Sequence, residues 1–146
     1  MKTYKHILLA VDFSEDTPFI IQRTRDIALL NKAKISLVHV LDNIPMPDMS
    51  YGTIIPLDYE IENKLLEIEK NHLNHIGQEL NVPENQRWLI WGSPEDEICT
   101  LAEKESVDII IVGSHGRHGL ALLLGSTANG ILHHTPCDVL AIRLPK

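Results

Sequence analysis

The chain has 146 residues, of which 44% are hydrophobic and 23% are charged, as is typical of one globular domain with a buried core. Its formal net charge of −7 repels a phosphate backbone and argues against general nucleic-acid binding. No apolar stretch is long enough to cross a membrane, and the short apolar run near the amino terminus ends at Asp12 without a cleavage site. We therefore expect one cytoplasmic domain over residues 1–146, with neither a membrane nor a nucleic acid as partner.

Strand and helix patterns alternate from the amino terminus. The apolar run His6–Val11 predicts a strand that is buried on both faces. Ser14 is placed to cap a following helix, with Pro18 in its first turn and an end near Asn31. Lys34–Leu41 predicts the second strand.

A segment rich in helix breakers separates the second strand from a long amphipathic helix. Asn43–Pro56 is predicted to be a loop, either an ordered lid over a ligand crevice or a mobile surface loop. Helical spacing then predicts one buried face and one solvated, mostly acidic face. The predicted buried face consists of Leu57, Ile61, Leu65, Ile68, Leu73, Ile76 and Leu80. The predicted solvated face consists of Glu60, Glu62, Glu67, Glu69 and Lys70.

The carboxyl-terminal half continues the alternation. Arg87–Trp91 predicts the third strand, and Ser93 followed by Pro94 and an acidic turn predicts a helix that ends near Glu105. A fourth strand, a glycine-rich loop, a short helix and a last strand complete the chain. The two final predicted strands are Val107–Val112 and Asp138–Leu144.

This order predicts a single doubly wound α/β domain with a parallel sheet. Right-handed crossovers place the helices on both faces of such a sheet. Ligands bind beyond the carboxyl ends of the strands, where the winding reverses. Asp12 follows the first strand and Gly113 follows the fourth, so both face one crevice if those strands are neighbours. An alternative role for Asp12 is to cap the first helix, in competition with Ser14.

The glycine-rich loop carries the strongest signal for a ligand. Gly113 and Gly116 let the backbone lie close to a bound molecule, and Gly125 opens the next helix together with Ser126 and Thr127. Exposed N–H groups and the partial positive charge of a helix start both favour a phosphate or another anion. The plain alternative is that these glycines only end a strand and begin a helix.

Several segments, taken together and in order, resemble the universal stress protein family, in particular its bacterial A-type branch. These segments are YKHILLAVDFSED, AKISLVHV, GSHGRHGLALLLGST and TPCDVLAIR. The resemblance implies a five-stranded parallel sheet of order 3-2-1-4-5 and a cytoplasmic homodimer joined through the last strand. The apolar character of that strand agrees with the implied dimer, because an open apolar edge invites pairing with another chain.

Some members of this family bind ATP and others, in the A-type branch with a shorter loop, do not. For a binding member the resemblance implies a pocket for ATP with Mg²⁺. Asp12 would lie near the ribose or a phosphate-bound metal, and Val40 would offer backbone groups to adenine. The phosphates would be held by Gly113, Gly116, Gly125, Ser126 and Thr127. Nucleotide-binding members show the loop G-x2-G-x9-G-[S/T], whereas only eight residues separate Gly116 from Gly125 here, so the loop is one residue short.

Catalysis finds little support in the motifs. The chain has neither the lysine of a phosphate-binding G-x4-G-K-[S/T] loop nor a G-x-S-x-G nucleophile elbow. His115, Arg117 and His118 in the loop could assist an anion, but no accompanying cysteine or carboxylate pattern predicts a metal site. We expect a non-enzymatic stress-response homodimer with a candidate ATP pocket. The alternatives are a switch whose Gly113–Gly125 loop is ordered by nucleotide, and a slow ATP hydrolase.

Overall fold

The computed structural model describes residues 3–42, 51–58, 63–113 and 125–143, with the backbone alone for residues 125–129. Strands and helices alternate along most of these ranges. In chain order they are β1 (His6–Ala10), α1 (Thr17–Asn31), β2 (Lys34–Leu41), β3 (Thr53–Ile54), α2 (Lys64–Glu79), β4 (Arg87–Trp91), α3 (Pro94–Lys104), β5 (Ile109–Gly113), α4 (Gly125–His134) and β6 (Asp138–Ile142). A single 3₁₀ turn, Glu84–Gln86, precedes β4.

The described strands form one sheet of order β3-β4-β2-β1-β5-β6. The five strands β4, β2, β1, β5 and β6 are mutually parallel, whereas β3 pairs with β4 in the antiparallel sense. The chain moves from β1 to β2 on one side and later places β5 on the other side, so the winding reverses at β1. The α/β architecture is as predicted, but the expectation of a five-stranded, purely parallel sheet was wrong by one antiparallel edge strand.

The extra strand lies inside the segment that the sequence predicts to be a loop. Gly52 donates its N–H to the carbonyl oxygen of Trp91 (2.8 Å), and Ile55 donates to that of Leu89 (2.8 Å). Ile55 is only 3% exposed. Residues 51–56 therefore lie along the outer edge of β4, and both β4 and β2 separate them from β1. Residues 43–50 lie outside the described ranges. Two paired residues between glycine and proline are too short a run to show strand periodicity.

Two apolar layers hold the helices on opposite faces of the sheet. Ile7 and Leu9 of β1 join the cluster beneath α1 and α2, whereas Leu8 joins the cluster beneath α3 and α4. Successive strand residues point to opposite faces, so one continuous apolar strand contributes to both layers. The central strands are thereby fixed, and their carboxyl ends form a rim at which the loops meet.

The buried face of α2 differs from the predicted one. Leu65 and Ile68 are 57% and 50% exposed, whereas Leu66 and Lys70 are buried. The predicted set advances five residues from Ile68 to Leu73, which turns the helix face by about 140° at 3.6 residues per turn. A single helix face cannot contain both ends of that step. The burial of Lys70 also contradicts the predicted solvated face.

The start of α2 was predicted too early. Asn63 occupies the N-cap position, and its side-chain oxygen accepts from the N–H groups of Leu65 and Leu66. Leu57 lies in a bend before that cap and is not helical. The remaining predicted members before the cap, Glu60, Ile61 and Glu62, lie outside the described ranges.

The start of α1 also departs from the prediction, because Ser14 does not cap it. The helix begins at Thr17, with Asp16 in the N-cap position and no side-chain capping bond. The carbonyl oxygen of Ser14 accepts the N–H of Thr17 (3.1 Å) within an additional turn. That turn follows Phe13, whose φ of 58° lies in the left-handed region. The helix does end at Asn31, as predicted.

Candidate functional site

The reversal of winding places the ends of β1 and β5 side by side. Leu9 pairs with Ile111, and continuing this register brings Val11 level with Gly113. Gly113 ends β5, where it pairs with Ile142 of β6. Asp12 follows Val11 directly, so the structure brings Asp12 and Gly113 to the same rim of the sheet.

Asp12 lies in the turn between β1 and α1. Its Oδ1 accepts a hydrogen bond from the N–H of Ser14 (3.1 Å), an Asx turn that orients the carboxylate. Asp16, and not Asp12, occupies the N-cap position of α1. The alternative in which Asp12 caps the helix is therefore wrong.

Val40 presents a backbone edge toward this turn. Val11 donates its N–H to the carbonyl oxygen of Val38 (3.0 Å), the last bond between β1 and β2 in the described ranges. Alternate residues of a strand direct both their N–H and C=O to the same neighbour, so Val40 also faces the β1 side. The next acceptor there, the carbonyl oxygen of Val11, is taken by the imidazole of His39 (2.7 Å).

The N–H and C=O of Val40 therefore lie on the side of β2 that faces the end of β1 and the Asp12 turn. Val40 itself is only 5% exposed. Buried backbone donors are nearly always paired with backbone, side chain, water or ligand. An N–H and a C=O on one residue, directed at the rim beside Asp12, form a ready binding edge.

The phosphate side of the predicted pocket is only partly described. Gly125 begins α4, as predicted, with Ser126 and Thr127 in its first turn. The side chains of these two residues are not described. Gly116 lies outside the described ranges, as do His115, Arg117 and His118. Their predicted roles therefore stay predictions.

Sequence reasoning missed His39. It lies on β2 directly before Val40, is 3% exposed, and its ring centroid lies 4.2 Å from that of Phe13. Its Nε2 is 3.5 Å from Oε2 of Glu69 on α2. The available signal was a polar residue inside the apolar run LVHV, because a buried imidazole must find partners for both ring nitrogens.

The rim is electrostatically uneven, since the first turn of α3 brings acidic side chains to the β4 end. A Cβ built on Gly92, just after β4, would lie 2.7 Å from Oε2 of Glu97. Burial raises the pKa of the Glu97 carboxyl, and the nearby charge of Asp96 raises it further. Glu95 lies against Gly130 of α4 in the same way. Negative charge at this end favours the β1–β5 side as the place for phosphates.

A separate cleft of about 240 Å³ lies between α1 and α2 on the other side of the Asp12 turn. Its lining residues are Phe13, Ser14, Thr17, Pro18, Ile21, His72, His75, Ile76 and Glu79. The hydroxyl of Ser14 is buried there without a hydrogen-bond partner among the described residues. The cleft and the rim thus share one turn: Asp12 lies at the rim, and Phe13 lines the cleft.

The described residues contain no group of three or more histidine, cysteine, aspartate or glutamate side chains placed to hold a metal ion. None of the helices in the described ranges is long and apolar enough to span a membrane.

Comparison with known proteins assigns the family. The model of the universal stress protein family matches residues 3–143. The chain belongs to this family. Universal stress protein A homolog 2 of Coxiella burnetii is 38% identical over 146 residues, which cover 99% of this chain and 98% of the relative. The resemblance predicted from the sequence is confirmed.

Solved structures place the fold in the same family. A universal stress protein of Methanocaldococcus jannaschii is 30% identical over 154 residues. The match covers 96% of this chain and 95% of the relative. The solved structure under the same protein name has a TM-score of 0.75 and covers 99% of both chains. A universal stress protein crystallised in complex with cAMP has a TM-score of 0.67 at 18% identity, covering 97% of this chain and 98% of its own. That last likeness shows the shared fold.

Proposed function

We propose that this universal stress protein binds an adenine nucleotide, ATP with Mg²⁺, at the rim formed by β1, β2 and β5. Binding, and not turnover, is its action, and the working form is a homodimer. The placement of the buried backbone edge of Val40 beside Asp12 and Gly113 is the observation that carries the nucleotide proposal. These residues meet at the switch point where doubly wound sheets take ligands.

The chemistry of that edge fits adenine better than guanine. Adenine presents its N6 amino donor beside a ring-nitrogen acceptor, which complements the C=O and N–H of Val40. Guanine presents an oxygen acceptor at position 6 and a donor at N1. The C=O of Val40 would then face an acceptor, and its N–H would face a donor. A mismatched buried polar group costs about 1–3 kcal/mol. We therefore expect a preference for ATP over GTP of roughly tenfold or more.

Asp12 and the two glycine-bearing ends complete the proposed pocket. The carboxylate of Asp12 can accept from a ribose hydroxyl or join the coordination of a phosphate-bound Mg²⁺. Gly113 leaves room for a close approach at the end of β5, and the amino terminus of α4 offers N–H groups and positive potential to phosphates. The universal stress protein solved with cAMP shares this fold, which supports an adenine nucleotide as the ligand class.

Isothermal titration calorimetry with ATP and Mg²⁺ tests the proposal directly. We expect saturable binding by the full-length protein, weaker binding of GTP, and weaker ATP binding by Asp12→Ala. Asp26→Ala, a change in an exposed helix carboxylate, is the matched control and should bind like the wild type. No heat of binding with millimolar ATP, together with no nucleotide released from freshly purified protein, would contradict the proposal.

Absence of turnover is the second part of the proposal. The sequence provides no lysine of the phosphate-loop type, and phosphoryl transfer depends on such cationic clamps. We expect phosphate release by the wild type to be no faster than by Asp12→Ala. Release that is clearly faster in the wild type would instead support the slow-hydrolase alternative.

The homodimer is proposed to form through β6, which ends the described sheet. Val139, Leu140 and Ala141 on this strand are only half-buried in one chain. Two copies related by a two-fold axis would pair these edges and cover their apolar side chains. Sedimentation velocity should give the mass of a dimer, and Leu140→Lys should shift the population toward monomer. A monomer at all concentrations would contradict this part alone.

A further inference from the structure

The imidazole of His39 lies directly beneath the turn that carries Asp12. Its Nδ1 is 2.7 Å from the carbonyl oxygen of Val11. A carbonyl oxygen only accepts hydrogen bonds, so Nδ1 carries the hydrogen and the tautomer is fixed by geometry. The side chain of His39 thus binds the last backbone carbonyl before Asp12, just past the end of β1.

The opposite nitrogen of the ring faces α2. Nε2 lies 3.5 Å from Oε2 of Glu69, whose side chain is only 13% exposed. The ring therefore lies between α2 and the end of β1, with one nitrogen near each.

The turn above the ring is held in an uncommon conformation. Phe13 has a φ of 58°, which for a residue other than glycine persists only when its surroundings impose it. The rings of Phe13 and His39 pack with centroids 4.2 Å apart and planes tilted by 43°. His72 meets the same phenyl ring edge-on at 5.1 Å. The ring of His39 thus contacts the residue before Asp12 and the residue after it.

We propose that His39 is a positioning residue of the nucleotide site, oriented by Glu69. Its bond to the carbonyl oxygen of Val11 and its packing against Phe13 hold the residues on either side of Asp12, and so hold the turn that carries Asp12 at the rim. The inference rests on the proposed nucleotide binding for its functional consequence. The arrangement of the turn is a separate claim that can be tested without nucleotide.

Two amide substitutions test the roles of the two ring nitrogens separately. In His39→Asn the side-chain amide can donate from near the position of Nδ1, so the bond to Val11 is retained. In His39→Gln the amide reaches toward the position of Nε2, so the bond to Glu69 is favoured and the bond to Val11 is lost. Both variants remove the ring and bury an amide of similar polarity. A merely structural role would affect them alike.

Calorimetric titration with ATP and Mg²⁺ compares the wild type, both variants and the exposed control His75→Gln. We expect His39→Gln to weaken ATP binding by roughly tenfold, the effect of one lost buried hydrogen bond. His39→Asn should recover most of that loss, and the control should match the wild type. Equal affinities of the Asn and Gln variants would overturn the positioning role.

Nuclear magnetic resonance of the unliganded protein tests the turn by itself. Imidazole nitrogen spectra should show a hydrogen on Nδ1 of His39, and the amide of Ser14, bonded to Asp12, should exchange slowly. Its exchange should accelerate in His39→Gln and not in His39→Asn. A bare Nδ1, or Ser14 exchange that is the same in both variants, would contradict the inference even if ATP binds. A wild type that binds no nucleotide but shows this exchange pattern would contradict only the proposed function.

Discussion

Two buried histidines lie near opposite rims of the central strands and have different partners. His6, at the start of β1, is 4% exposed, and its nitrogens meet the carbonyl oxygen of Glu105 (3.1 Å) and the hydroxyl of Ser36 (2.6 Å). His39, near the end of β2, is 3% exposed and meets a carbonyl oxygen and the carboxylate of Glu69. The first has neutral partners in the body of the fold. The second links a helix to the turn that carries Asp12.

The comparison teaches that burial alone does not identify a functional residue. Burial lowers the pKa of His6, and the charge of Lys34 lowers it further, so the ring is held neutral within its hydrogen bonds. That arrangement closes the amino-terminal rim. At the carboxyl-terminal rim, His39 instead binds the carbonyl oxygen of Val11 and packs against Phe13, the two neighbours of Asp12.

The largest effect on stability is expected from His6→Leu. The change removes the ring from two buried hydrogen bonds. The Ser36 hydroxyl keeps its bond to Gln86, but the carbonyl oxygen of Glu105 loses its imidazole partner. The total cost is on the order of 3 kcal/mol of unfolding free energy. Urea unfolding measures this loss, with His39→Asn for comparison. ATP affinity should stay at the wild-type value in the fraction that remains folded. If His6→Leu weakened ATP binding as strongly as His39→Gln, the two rims would not be independent.

A smaller effect is expected from acid. The pKa of His6 is lowered in the folded state from its ordinary value of 6.5. Between the lowered pKa and pH 6.5, the unfolded chain therefore binds a proton that the folded chain does not. Stability contributed by the neutral ring is therefore present above about pH 6.5 and is lost as the pH falls from there toward the lowered pKa. Urea midpoints measured from neutral pH downward should show this decline. His6→Asn, which cannot titrate, should show a shallower decline, and an identical slope would contradict the assignment.

The smallest effect is expected from His75→Gln. The side chain of His75 is 79% exposed, and its Nε2 lies 4.0 Å from Oε1 of Glu79. Exposed substitutions of this kind change stability by less than about 0.5 kcal/mol. Both urea unfolding and ATP titration should give wild-type values. A large effect would mean that the cleft lined by His75 takes part in the nucleotide site.

The sequence predicts the central part of the fold well, because continuous apolar strands and strong helix breakers are local signals. The start of α3 at Pro94 and the end of α1 at Asn31 follow from such signals. The pairing of the first and fourth predicted strands needed the family resemblance, since no local pattern specifies which strands become neighbours.

Several of the failures share one physical cause, which is that a partner distant in sequence decides the outcome. Glu69 and Lys70 read as solvated residues, but Glu69 is drawn inward toward His39 on another element. Ser14 reads as a cap, but the left-handed turn at Phe13, packed on His39, delays the helix to Thr17. The same remoteness hid the bond from His39 to the carbonyl oxygen of Val11 on the neighbouring strand end.

The short antiparallel strand β3 has a consequence for assembly. It covers the outer edge of β4 with a two-residue strand, and charged or glycine-bearing segments flank it. A sheet that exposed two equivalent apolar borders would be able to add copies without limit and grow as a fibre. With one border covered by this short strand, the proposed pairing through β6 would stop at a closed pair, and Thr53–Ile54 would then terminate polymerisation.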